Sequence, residues 1–211
     1  YYFALKHNMK LEILSRILDV QNPKLTVVFC NTKKMVDELT AGLQSRGYFA
    51  DGLHGDLKQI QRDGVMNKFR NSTIDILVAT DVAARGIDVD DVDLVINYDM
   101  PQDVEYYVHR IGRTARAGRE GTAISFVSPR EMNTLSQIQK YTKTKIEKRD
   151  MPTLKDLIKR HEERFIEEIK EEINKNEHTK ELNLINILMS EDYSPIDIAA
   201  CLLKHYNENN K

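Results

Sequence analysis

Four short runs constrain this chain more than anything else in it. LTVVFC (25–30), IDILVAT (74–80), VDLVINY (ending at Tyr98) and TAISFV (122–127) are rich in β-branched residues and almost free of polar interruption. A strand with one wet face alternates apolar and polar residues, whereas a continuous apolar run suits a strand covered on both faces, as in a parallel sheet. GYFADGLH (47–54) is a weaker strand of the same kind. Between the runs the spacing predicts helices over roughly 8–20, 32–46, 57–70, 103–113 and 130–142. Strand and helix in alternation imply right-handed crossovers and an open α/β sheet with helices on both faces. Ligands of such sheets sit outside the carboxyl ends of the strands. The residues that follow each run are therefore where chemistry is to be sought.

Beyond residue 150 the pattern changes. Residues 1–150 hold 22 Lys and Arg against 20 Asp and Glu, and residues 151–211 hold 9 against 13. Pro152 interrupts the chain near this shift, so a boundary is expected between 1–150 and 151–211. Leu154, Leu157, Ile158, His161, Phe165, Ile169 and Ile173 follow a helical period. ELNLINILM (181–189) and PIDIAACLLKHY (195–206) suggest two more helices, the last with Ser194 as cap and Pro195 at its first position. The segment has no glycine and more apolar surface than about 60 residues bury alone, which points to a partner.

The totals exclude several classes. A formal net charge of −2 does not describe a polybasic nucleic-acid coat. Cys30 and Cys201 lie far apart without CxxC spacing, which fits thiols in a reducing compartment and neither a disulfide framework nor a metal site. No apolar run approaches the ~20 residues that cross a bilayer. The chain opens on YYFALKHNMK, without an initiator Met and without a basic head before an apolar run. A piece of a longer, cytoplasmic protein is expected, and a secretory leader is not.

After the first run, NTKK (31–34) sets Thr32 where a hydroxyl and the free N–H groups of a helix start could seat a phosphate, and equally where a helix cap is needed. After the second strand comes HGDLKQIQR (54–62). Gly55 permits close backbone approach, and Gln59 and Arg62 share a helix face; a turn before a solvated helix fits these residues at least as well. ATDVAARGIDV (79–89) groups Thr80, Arg85, Gly86 and Asp88 densely enough to favour a loop holding a phosphate and a ribose hydroxyl over a plain turn. In HRIGRTARAG (109–118), a helix continued to 116 would gather Arg110, Arg113 and Arg116 on a third of its circumference, with His109 on the flank. Like charges so placed repel. Guanidinium forks facing phosphate explain the cluster better than a solvated basic face does.

Taken in order, VVFCNTK, HGDLKQIQR, ATDVAARGIDV and HRIGRTARAG resemble motif IV, the Gln-x-x-Arg motif, motif V and motif VI of the second RecA-like domain of DEAD-box RNA helicases. The resemblance implies a RecA-like fold and a set of roles. Arg116 would be the arginine finger and Arg113 a second arginine on the γ-phosphate. Asp88 would contact the ribose of ATP, Gly86 would let the backbone approach it, and His109 would link the site to the other RecA-like domain. Thr32, Gly55, Arg62 and Thr80 would contact the RNA backbone, and Gln59, Arg85 and Arg110 would support these loops. Ala115 departs from the family, which usually has Gly there.

The family's phosphate loop, its Asp-Glu-Ala-Asp and its Ser-Ala-Thr are not in this sequence, and neither are the Mg²⁺ ligands that accompany them. The resemblance thus implies half of an ATP-dependent RNA helicase, inactive alone, whose first RecA-like domain completes the site. The tail, through RDMPTLKDL and YSPIDIAACLLKHY, resembles the helical dimerisation region of bacterial cold-shock RNA helicases. It implies a homodimer through Leu154, Leu157, Phe165, Ile169, Ile173, Leu184, Leu188 and Leu202. A non-catalytic RNA-binding scaffold and a DNA helicase of the same superfamily are the competing readings.

Overall fold

The computed structural model describes residues 1–84, 92–115, 121–175 and 179–209. It divides into two compact units, Tyr1–Ile158 and Lys159–Lys211.

In the first unit six strands form one sheet in which every neighbouring pair is parallel: β1 (Tyr2–Ala4), β2 (Thr26–Phe29), β3 (Ala50–Leu53), β4 (Ile76–Ala79), β5 (Leu94–Asn97) and β6 (Thr122–Val127), in the order β1-β6-β5-β2-β4-β3. The helices between them are α1 (Lys10–Gln21), α2 (Lys33–Gln44), α3 (Gln59–Arg70), α4 (Val104–Ile111) and α5 (Met132–Thr142). The continuous apolar runs are divided residue by residue between two faces, since successive strand side chains point opposite ways. Val28, Ile76, Val78, Leu94 and Ile96 join the core beneath α1 and α2. Val27, Phe29, Leu77, Ala79 and Val95 join the core beneath α3, which contributes the fully buried Phe69. Each such Leu, Ile or Phe contributes about 1.5–3 kcal/mol by leaving water. A third cluster of Tyr107, Val127, Leu135, Ile138 and Ile146 seats α4 and α5.

Register decides where the site lies. Phe29 is level with Ala79 and with Asn97, and Leu53 is level with Ala79. The carboxyl ends of β2, β3, β4 and β5 thus finish on one rim. Local signals start and stop the helices that leave it. Thr32 caps α2 by accepting from the Met35 amide at 3.2 Å, and Asp103 caps α4 by accepting from the Glu105 amide at 3.1 Å. Gly112 ends α4, so the helix does not run to 116 as its charge spacing suggests.

Within the second unit lie the greater part of α6 (Leu154–Lys175), together with α7 (Thr179–Ser190) and α8 (Pro195–Asn209). Ser194 caps α8, its Oγ accepting from the Asp197 amide at 3.1 Å while Pro195 takes the first helical position. Phe165 and Tyr206 bring α6 and α8 together with ring centroids 5.3 Å apart. Ile198 is buried, whereas Ile166, Ile169, Ile173, Leu182, Leu184, Ile187, Leu188, Leu202 and Leu203 are exposed. So much exposed aliphatic surface on three helices exceeds what a free-standing unit carries.

Candidate functional site

The residues at the rim are held by one buried side chain. Arg110, on the last turn of α4, is 1% exposed. Its Nε donates to Asp81 Oδ1 at 2.6 Å and its Nη2 to Asp81 Oδ2 at 2.8 Å, a bidentate pair. Nη2 also donates to Asn31 Oδ1 at 2.9 Å, and Nη1 donates to Asn97 Oδ1 at 3.2 Å and to the Asp99 carbonyl at 2.6 Å. The guanidinium lies 5.2 Å from the centre of the Phe29 ring. A buried charge is tolerated when it is paired and every donor is used, and this fork meets that condition. The residues just after β2, β4 and β5 are thereby tied to the helix that carries His109.

A second buried cation reaches the same rim from the other side. Lys10 of α1, 3% exposed, donates to the Tyr98 carbonyl at 2.6 Å and to Asp99 Oδ1 at 2.9 Å. Asp99 Oδ2 accepts from the Asn31 amide at 3.2 Å. Cys30, between these groups, is fully buried, and burial pushes its thiol far above the ordinary range, with the Asp99 charge adding to the effect. It is a packing residue, not a nucleophile.

Above Arg110 opens a cleft of about 130 Å³ lined by Phe29, Asp81, Ala84, Tyr106, His109, Arg110 and Arg113. That volume is smaller than the 300–1,000 Å³ or so of a whole small-molecule site and suits the end of a ligand. Arg113 sits past the end of α4, its Nε donating to the His109 carbonyl at 3.2 Å. Asp81 is paired with Arg110, and Arg113 brings a second guanidinium to the lining of the cleft. Arg110 thus points inward while Arg113, past the end of α4, borders the cleft, so these two do not share one helix face. Behind them the chain is tight. Gly121, at the start of β6, has no room for a side chain, because a Cβ would lie 2.1 Å from Thr114 Oγ1 and 2.5 Å from the Ala115 nitrogen. Ala115 itself has φ of 58°. Arg85, Gly86, Asp88 and Arg116 lie outside the described residues.

On the β3–β4 side of the rim, Thr32 caps α2, and Gly55 follows β3 with open space where a Cβ would stand. Arg62 of α3 is half-buried and donates through Nη2 to the Ala83 carbonyl at 3.2 Å. Thr80 follows β4, its amide donating to the Leu53 carbonyl and its carbonyl accepting from the Ala84 amide. Gln59 donates to Asp63 Oδ1 at 2.8 Å on the exposed side of α3. Two cross-links join the Gly55 turn to α2: His54 to Asp37 at 3.0 Å and Lys33 to Asp56 at 2.5 Å. The structure thus brings Thr32, Thr80, His109, Arg110 and Arg113 onto one rim, with Gly55 and Arg62 on its β3 flank and Gln59 turned to solvent. Sequence reasoning missed Lys10, Asn31, Asp81, Asn97 and Asp99, whose bonds span long stretches of chain. A polar residue directly after an apolar run was the one available signal, and it marked Asn31 and Asp81 without naming their partner.

Residues 9–118 match the helicase conserved C-terminal domain. The chain belongs to that family. Residues 152–210 match the RNA helicase DeaD dimerization domain. Among curated proteins the chain is 47% identical over 204 residues to the ATP-dependent RNA helicase CshA of Listeria monocytogenes, covering 97% of this chain and 39% of that protein. It is 45% identical over 202 residues to the DEAD-box ATP-dependent RNA helicase CshA of Geobacillus kaustophilus, covering 96% of this chain and 43% of that protein. The chain therefore spans about two fifths of the length of these relatives. Among solved structures it resembles the E. coli DEAD-box protein SrmB bound to regulator of ribonuclease activity A, with TM-score 0.68, 38% identity, and 74% of this chain and 91% of that one covered. It also resembles S. cerevisiae Dbp5 bound to RNA and ADP BeF3, with TM-score 0.67, 38% identity, and 75% and 44% covered. A helicase C-terminal domain of the DEAD-box kind, with a RecA-like parallel sheet, thus accounts for the first unit. Among the described residues no helix is long and apolar enough to cross a membrane.

Proposed function

We propose that the intact protein is an RNA-dependent ATPase that remodels RNA in the cytoplasm, and that this chain supplies one wall of its nucleotide site and part of its RNA surface. The observation that carries the reading is the single rim on which Thr32 and Thr80 stand a residue away from the network that also holds the helix of His109, past whose end Arg113 lies. That a similar solved structure, Dbp5, is bound to RNA and ADP BeF3 supports both ligands. In phosphoryl transfer, charge spreads over the γ-phosphate oxygens, and the protein's part is to position and neutralise them. Arg113 takes that role from the cleft and Arg116 acts as the arginine finger, while Asp88 and Gly86 receive the ribose. His109 faces the first RecA-like domain. Thr32, Gly55, Arg62 and Thr80 grip sugar and phosphate, which fixes position without reading sequence. Arg85 and Gln59 steady the loops.

Magnesium balances phosphate charge in such reactions. Among the described residues no three His, Cys, Asp or Glu side chains converge to hold a metal. In this reading the ligands of the ion belong to the other domain. The exposed faces of α6, α7 and α8 pair with a second copy, with Leu154 and Leu157 at the start of α6 continuing the stripe. Residues 1–150 then act as the helicase half and 151–211 as the dimerisation module.

Phosphate release tests the reading. The intact protein should turn over ATP with RNA stimulation, the 211-residue chain should not, and Arg116→Ala in the intact protein should lower kcat by about 10³-fold or more with RNA binding kept. RNA-stimulated turnover by the chain alone, or an unchanged kcat in Arg116→Ala, overturns it. Competition by single-stranded DNA equal to that by RNA would favour a DNA helicase instead.

A further inference from the structure

We propose that Asn31 is a positioning residue that transmits occupancy of the RNA seat, through Arg110, to Arg113 in the nucleotide wall; the proposal rests on the RNA reading above and names the route by which its two ligands communicate. Two residues assigned to RNA, Thr32 and Thr80, are chain neighbours of two acceptors of one guanidinium, Asn31 and Asp81. Arg110 in turn lies between His109 and Arg113 in sequence, and Arg113 is hydrogen-bonded to the His109 carbonyl. The guanidinium is planar and buried among four partners, so it cannot absorb a displacement by changing rotamer. A shift of the turn before α2 must move Arg110 or break a bond to it, and Arg110 is part of α4.

Asn31 is the selective point of entry. Its Oδ1 accepts from Arg110, its Nδ2 donates to the Met100 carbonyl at 2.8 Å, and its amide donates to Asp99. It is half-exposed, so its side chain can be removed without opening the core as loss of Arg110 would. In this reading it touches neither RNA nor nucleotide. Coupling between sites is a free energy that requires a physical element biased by both, and the Asn31–Arg110 bond is such an element.

The test is nuclear magnetic resonance on the 211-residue chain with a labelled arginine Nε–Hε group, titrated with a uridine decanucleotide. In the parent chain, RNA should shift the amides of Thr32, Gly55 and Thr80 and also the Arg113 Nε–Hε signal. In Asn31→Ala the amide shifts should remain and the Arg113 response should be lost. Asn31→Asp, which keeps the acceptor for Arg110, should retain it. An Arg113 response of parental size in Asn31→Ala overturns the proposal, as does a parent chain in which the amides shift and Arg113 does not. A parent chain with no RNA-dependent shift at any of these groups overturns the RNA seat itself and the proposal with it.

Discussion

Lys10 and Asp99 form an ion pair of 2.9 Å whose ammonium is 3% exposed, and the pair ties the first helix of the chain to the end of β5. Removing one partner of a buried pair costs more than the pair itself contributes, because the other charge is left behind. Asp99 is 16% exposed and keeps the Asn31 amide as a donor, which softens the loss. Lys10→Met is therefore expected to lower stability by about 3 kcal/mol, at the low end for such deletions. Urea unfolding of the chain measures it. A change within experimental error would mean that water reaches Asp99 freely.

The tight passage behind the arginines yields a pair of opposite expectations. Gly121→Ala would put a methyl on Thr114 Oγ1 and the Ala115 nitrogen, and overpacking of this kind costs about 3 kcal/mol. Ala115 stands in the left-handed region, where a non-glycine residue carries about 1–2 kcal/mol of strain. Ala115→Gly should relieve it, with part of the gain offset by backbone entropy, for a net stabilisation of up to about 1 kcal/mol. Denaturant midpoints of both variants should move in opposite directions.

Alkaline pH should unfold the first unit by a route set by buried phenols. Burial raises the pKa of Tyr48, Tyr98 and Tyr107 above the ordinary phenol value, with the Asp19 side chain adding to the rise at Tyr48 and Cys30 at Tyr98. A group whose value is raised on folding contributes stability that is whole below its unfolded value and is lost as pH rises towards its folded one. The loss therefore begins near the ordinary phenol value of about 10 and grows above it. Ultraviolet difference spectra should show these tyrosines ionising only as the far-ultraviolet helix signal collapses. Ionisation of every tyrosine before unfolding would contradict the burial.

The aliphatic faces of the second unit predict an assembly. At tens of micromolar, light scattering should give about twice the chain mass of 24.5 kDa. Ile169→Asp and Leu184→Asp place a charge on exposed positions and so leave each chain folded. They should lower the mass to that of one chain. A concentration-independent single-chain mass for the parent would remove the dimer from the reading.

The sheet could be read from the sequence because strands buried on both faces announce themselves as unbroken apolar runs, and β2, β4, β5 and β6 are such runs. β1 escaped because it has three residues, Tyr2–Ala4, and its place depends on β6 more than a hundred residues away. The site was legible where chemistry is packed into contiguous stretches, as around Arg113. It was illegible where side chains meet only after folding. Helical phase grouped Arg110 with its neighbours on one face, but Gly112 ends the helix and Arg110 turns inward to acceptors from three strands. No periodicity in a single segment can report such a convergence.

Arg110 has one more consequence. A guanidinium keeps its proton at every pH that a folded protein survives. The keystone beneath the cleft therefore keeps its own charge whatever the acidity of the surroundings, and so its five donors are always there for the acceptors of the rim. A histidine or lysine in its place would have made the hold on the rim depend on the proton concentration of the surroundings.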